Sequence, residues 1–172
     1  MTSALPEITR PESGDVVELI LDDHRTFEAL LRELRNDQND RDLLRGRLAE
    51  LLVAHGEAEE SDVYPQLRRT DAIDEHEAEH GEEEHREIYE ALLRLLEATD
   101  LYTKEAGHDL HELSETLLHH LDEEERDILN PARSDVAEAD RARLGAAWAA
   151  RRNELLARGC GSLEQVRALL DA

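Results

Sequence analysis

The 172-residue chain is predicted to be all-α: an up-down four-helix bundle followed by two extra C-terminal helices. Two observations lead there. Apolar residues recur at alternating steps of three and four along successive segments, the spacing of a core-facing helical stripe. Glycines and β-branched residues are few, which favours helix over strand nearly everywhere. Aromatic residues make up only 3% of the chain against 40% hydrophobic, so Leu and Ala must do most of the packing.

The elements follow in order. Residues 1–12 hold two of the 4 prolines and little periodicity, and read as a loose N-terminal arm. Helix one starts near Ser13 or Asp15 and runs to about Asn36, with the stripe Val17, Ile20, His24, Phe27, Leu31 and Leu34. Asn36 to Asp40 is a polar turn. Helix two carries Leu44, Leu48, Leu51, His55, Ala58 and Asp62, with Glu59 beside them, and Pro65 marks its kink or end. Thr70 and Asp71 are positioned to cap helix three, which reaches about Ala98 with Ile88, Leu92, Leu95 and Leu96 on its apolar half. After a turn at 99–103, helix four shows Leu110, Leu113, Leu117, His120 and Glu124 in one stripe and ends at Asn130-Pro131. Asp135 to Glu138 and Ser162 to Gln165 both match a capping box, and open the two further helices. The expected organisation is an arm (1–12), a bundle (13–131) and a helical extension (132–172).

The net charge of -23 repels phosphate backbones and anionic lipid, so neither nucleic acid nor a membrane is an expected partner. No apolar run approaches the ~18 residues of a membrane span. The first residues show neither a basic nor an apolar leader region, so a cytoplasmic location is expected. The single Cys160 allows no intramolecular disulfide; between two glycines it reads as a small packed residue rather than a reactive thiol.

The functional signal is a repeat. His55-Gly-Glu-Ala-Glu59-Glu60 has a near copy at His120-Leu-Asp-Glu-Glu124-Glu125. In each, His and Glu four residues apart share one helix face and can hold one metal ion. The partner helices add His24 and His85. His24 and His55 lie 14 and 17 residues from a turn centred at Gln38, or ~21–26 Å along a helix. His85 and His120 lie 16 and 19 residues from a turn centred at Leu101, or ~24–29 Å. The two hairpins thus present matching half-sites at similar depth. A lone His on an apolar stripe is ordinarily a satisfied core residue. Four of them with two carboxylates, whose uncompensated burial costs several kcal/mol, are more economically explained by metal ions. Imidazole and carboxylate without thiolate suit Fe, Mn or Zn.

With these residues in view, the chain resembles the hemerythrin family, the HHE cation-binding domain, over about residues 13–131. His24, His55-x-x-x-Glu59, Glu84-His85 and His120-x-x-x-Glu124 stand where that family places its ligands. The resemblance implies two iron ions (Fe2+/Fe3+) bridged by the two carboxylates and an oxo or hydroxo group, with Mn or Zn as alternatives. Oxygen-carrying members place another His four residues before the His of helix three, and that position here is Gly81. His80 is at a reachable height but rotated ~140° from His85, and is kept as a seventh candidate ligand; Glu84 is its neighbour and competitor.

Two classes of function remain open. One is binding or sensing of O2 or a related small ligand, NO or peroxide. The other is a di-iron enzyme with catalase- or peroxidase-type activity. Tyr89, four residues after His85 on the same face, would place a phenol near the open position and favours reactivity. A ferritin-like storage protein fits less well, because its Glu-x-x-His pattern leaves His24, His55 and His120 unused.

Overall fold

The computed structural model describes residues 4–172, so residues 1–3 of the expected arm lie outside the described residues. Eight α-helices are described: α1 (Val16–Leu34), α2 (Arg41–Ala58), α3 (Tyr64–Arg69), α4 (Glu75–Glu97), α5 (Lys104–Glu124), α6 (Asn130–Asp135), α7 (Glu138–Arg158) and α8 (Leu163–Asp171). The bundle is all-helical, as the stripes predict. α1 pairs with α2, and α4 with α5. The hairpins meet through α2 with α4 and α1 with α5. α7 lies across α1 and α2, and α8 lies on α4.

Polar caps set most helix starts. Asp15 accepts from the Val17 amide, Asp40 from Leu43 and Thr103 from Ala106. Ser162 and Gln165 form the reciprocal capping box expected of them. Two caps differ from the sequence reading. α4 is capped by Asp74 with Glu77, not by Thr70 or Asp71, because α3 runs on to Arg69 and residues 70–73 are spent in the turn that reverses the chain. Asp135 forms no box with Glu138: it is the last residue of α6, and the N-cap of α7 is Ala137, which offers no side-chain cap.

The prolines do not end their helices either. Glu59–Val63 and Glu125–Leu129 are π-helical turns that carry α2 into α3 and α5 into α6. Pro lacks an N–H, and its ring collides with the carbonyl four residues back. An extra residue in the preceding turn relieves the collision: the Tyr64 amide bonds Glu59 O, and the Asn130 amide bonds Glu125 O, each five residues back.

The arm is not loose over its described part. Leu5 and Ile8 pack on the core, Arg47 donates to Pro6 O at 3.1 Å, and Asn153 donates to Pro11 O at 2.8 Å. Two apolar cores fill the bundle. One, around Phe27, Leu48 and Leu92, lies towards the hairpin loops; the other, around Ile20, Leu67, Ile128 and Trp148, lies at the opposite end. Between them sits a layer of buried polar residues. Cys160 is buried and donates to Glu50 O at 3.3 Å, and burial raises its thiol to about 11, which makes it a packing residue.

Candidate metal centre

The polar layer contains six of the seven predicted ligands. His24, His55, Glu59, His85, His120 and Glu124 are all at most 3% exposed. Their donor atoms form two groups. His24, His55, Glu59 and Glu124 make one, and Glu59, His85 and His120 the other, with the atoms of each group within 4.8 Å of one another. Glu59 belongs to both: its Oε1 is 2.8 Å from His55 Nε2 and its Oε2 is 3.2 Å from His85 Nε2. Glu124 Oε2 is 3.1 Å from His24 Nε2 and 3.5 Å from His120 Nε2.

The outward nitrogen of every ring is held by a carboxylate. Nδ1 of His24, His55, His85 and His120 bonds Glu125, Asp23, Glu60 and Glu84 at 2.9, 3.0, 2.7 and 2.7 Å. A carboxylate accepts, so Nδ1 carries the proton and Nε2 is turned inward. The arrangement has approximate two-fold symmetry. Asp23, just before His24, supports His55 in the same hairpin, as Glu84 before His85 supports His120. Glu60 and Glu125, each following a shared Glu, support a His of the other hairpin.

The donor set fits metal ions. His55 Nε2, His85 Nε2, His120 Nε2 and Glu59 Oε1 are buried and make no hydrogen bond. They approach one another closely yet are aimed at common points between them. Buried polar atoms left this way are costly in an ordinary core. In the metal-free protein, protons supply the missing positive charge. Glu59 and Asp23 face His55, and Glu59 and Glu60 face His85. These carboxylates outweigh the opposing effect of burial, which is the largest single influence, and raise both rings to about 10. The same pairing outweighs burial at Glu59 and Glu124 and holds both below the usual carboxylate range.

Two features break the symmetry. α7 brings a buried Arg152 to Asp23, with bonds of 2.8 Å from Nε and 2.7 Å from Nη2, and sets Trp148 edge-on against His55 at 5.6 Å. Tyr64 donates its hydroxyl to Glu124 Oε1 at 2.8 Å and lies 3.3 Å from Glu59 Oε2, with its ring stacked on His85. Gly81 makes room for it: a Cβ there would meet the Tyr64 ring at 3.0 Å. The phenol thus occupies the space beside position 81.

His80 does not join the six. Its side chain is 47% exposed and its Nε2 bonds Glu123 at 2.8 Å, because its rotation from His85 turns it to the surface. Tyr89 stacks on His85 as expected, with a buried hydroxyl that makes no hydrogen bond. It borders a cavity of about 10 Å³ together with Phe27, His55, His85, Leu117 and His120. Sequence reasoning missed Tyr64, Arg152, Asp23 and the supporting role of Glu60. The available signal was adjacency: Asp23-His24, Glu84-His85, Glu59-Glu60 and Glu124-Glu125 each pair a ligand with the support of another.

Compared with known families, residues 15–132 match the hemerythrin HHE cation binding domain. No curated protein and no solved structure matched. No helix among the described residues is long and apolar enough to cross a membrane.

Proposed function

The chain belongs to the hemerythrin HHE cation-binding family, and from that premise we propose that it holds two iron ions and binds a small ligand, O2, NO or peroxide, beside them. His24 and His55 would hold one ion and His85 and His120 the other, with Glu59 and Glu124 within reach of both. The observation that carries this reading is the set of buried Nε2 atoms and the Glu59 oxygen that lack hydrogen bonds within one layer. Iron, when bound, supplies a coordination position for the ligand and the capacity for electron transfer.

The protein's own residues do the rest. The Nδ1 carboxylates fix each ring and raise its basicity as a ligand. The cavity beside His55, His85 and His120 is walled by Phe27, Leu117 and Tyr89, has room for about one water-sized molecule, and keeps bulk water out. Tyr89 lines that wall, while its unpartnered hydroxyl lies against Gly56, near the outward Nδ1 of His85. Its contact with the cavity, and the stacking of both Tyr64 and Tyr89 on His85, favour a second reading as a peroxide-consuming enzyme.

Elemental analysis and optical spectroscopy of the iron-reconstituted protein test the centre. At least two ions per chain are expected, and one or none refutes the pair. Mixing the loaded protein with hydrogen peroxide separates the readings: O2 evolution supports the enzyme, and a stable ligand-dependent spectrum without turnover supports the binder.

A further inference from the structure

Outside the buried layer, one other group of side chains among the described residues has metal-ligand geometry. His80, Glu84 and Glu123 place ligand atoms within 4.8 Å of one another. His80 Nε2 is 2.8 Å from Glu123 Oε2 and 3.6 Å from Glu84 Oε1, and His119 Nε2 is 3.4 Å from Glu123 Oε1. An acidic surface cluster alone would mean little on so acidic a chain. Glu84 is the exception, because it is only 6% exposed. Its Oε2 supports His120, while its Oε1 is buried, makes no hydrogen bond and is directed at this cluster.

The approximate two-fold shows what is missing from Glu84. Asp23 is its counterpart, and each supports the His of a His-x-x-x-Glu pair. Asp23 also binds a cation, the Arg152 guanidinium. On the Glu84 side, which α7 does not cover, no guanidinium reaches the equivalent oxygen. Instead a surface pocket of about 310 Å³ opens there, lined by His80, Gly81, Glu84, Glu123 and Glu124 among others. Glu124 is one of the two shared carboxylates of the buried layer, so this surface pocket borders the centre.

We propose that His80, Glu84 and Glu123 form a third cation site, for a divalent first-row transition metal ion, and that ions reach the buried centre through it. One imidazole with two carboxylates suits Fe2+, Mn2+ or Zn2+ better than Mg2+ or Ca2+, which favour oxygen donors throughout. The entry role rests on the buried centre proposed above; the site itself does not. The strongly negative chain draws cations towards this mouth, and Glu84 and Glu124 then provide successive oxygens inward.

The test uses the full chain. Equilibrium dialysis against Zn2+ should give three ions per chain for the wild type and two for His80→Ala and Glu123→Gln, whose substituted groups lie at the surface and outside both cores. Stopped-flow loading of the metal-free protein with Fe2+ should be slower in both variants by roughly tenfold or more, with the same final spectrum. Two ions in wild type and variants alike overturn the site. Three ions in the wild type with unchanged loading rates in the variants overturn the entry role. One ion, lost in His80→Ala and kept in His120→Ala, upholds the surface site and instead refutes the buried pair.

Discussion

Tyr64 is the residue whose position most changes the reading of the centre. It touches both shared carboxylates through one hydroxyl, and a Cβ at Gly81 would crowd its ring. Tyr64→Phe removes that hydroxyl and leaves the ring on His85. It should keep both ions but change the visible spectrum of the iron-loaded protein, because Glu124 loses a donor; an unchanged spectrum would show that the hydroxyl does not act on the centre. Glu60 follows the same logic. Its bond to His85 Nδ1 means that Glu60→Gln should weaken metal affinity by about 10–100-fold, as loss of a supporting carboxylate does, whereas Glu90→Gln on the exposed face should not; dialysis against a competing chelator measures both. The raised His55 and His85 give a pH dependence with a definite sign. In the metal-free protein their contribution is fully present below about pH 6.5, the ordinary His value, and is lost as pH rises through about 10. Metal-free stability, followed by thermal melts, should therefore fall across that window. Metal affinity should rise across it, because the ions displace these protons.

At the level of elements, the helical stripes were legible because a 3.6-residue period is written directly in Leu, Ile and Val. The candidate metal ligands were legible for a related reason: His24, His55, His85, His120, Glu59 and Glu124 interrupt those stripes with residues that do not belong in an apolar core. The π-turns were not, since Pro65 and Pro131 signal a helix end unless one knows that the preceding turn can take an extra residue. Missing the first turn hid Tyr64, which on an ideal helix would point well away from Glu59. Arg152 was hidden for another reason. Its partner Asp23 lies 129 residues away, and a single Arg on an amphipathic helix ordinarily faces solvent. Arg152→Met tests what α7 contributes. It leaves Asp23 buried without its cation, and should lower stability by about 3–5 kcal/mol in denaturant titrations. A variant as stable as wild type would show that α7 merely covers α1 and α2.

At the scale of the whole molecule, the approximate two-fold relates two hairpins that differ in their surroundings, one shielded by α7 and the other facing the pocket at Glu84. The layer where they meet also divides the hydrophobic interior. Phe27 and Ile20 sit on either side of His24 along one helix, yet they belong to different apolar clusters. The seam between those clusters is lined by buried polar side chains rather than by apolar contacts. Cooperativity then depends on what occupies the seam. With metal bound, the ends of the bundle should open as one unit, since the ions tie all four long helices together. Without it, each cluster is free to fluctuate alone, as locally packed units do. Native-state hydrogen exchange should show this directly. Amides flanking Leu48 and Leu92 should exchange with one opening free energy, and those flanking Ile20 and Leu67 with another, in the metal-free protein; on loading, the two should merge into a single, higher value. Identical protection at both ends before loading would mean that the seam transmits stability without any ion, and that the helices rather than the ligands make this bundle one folding unit.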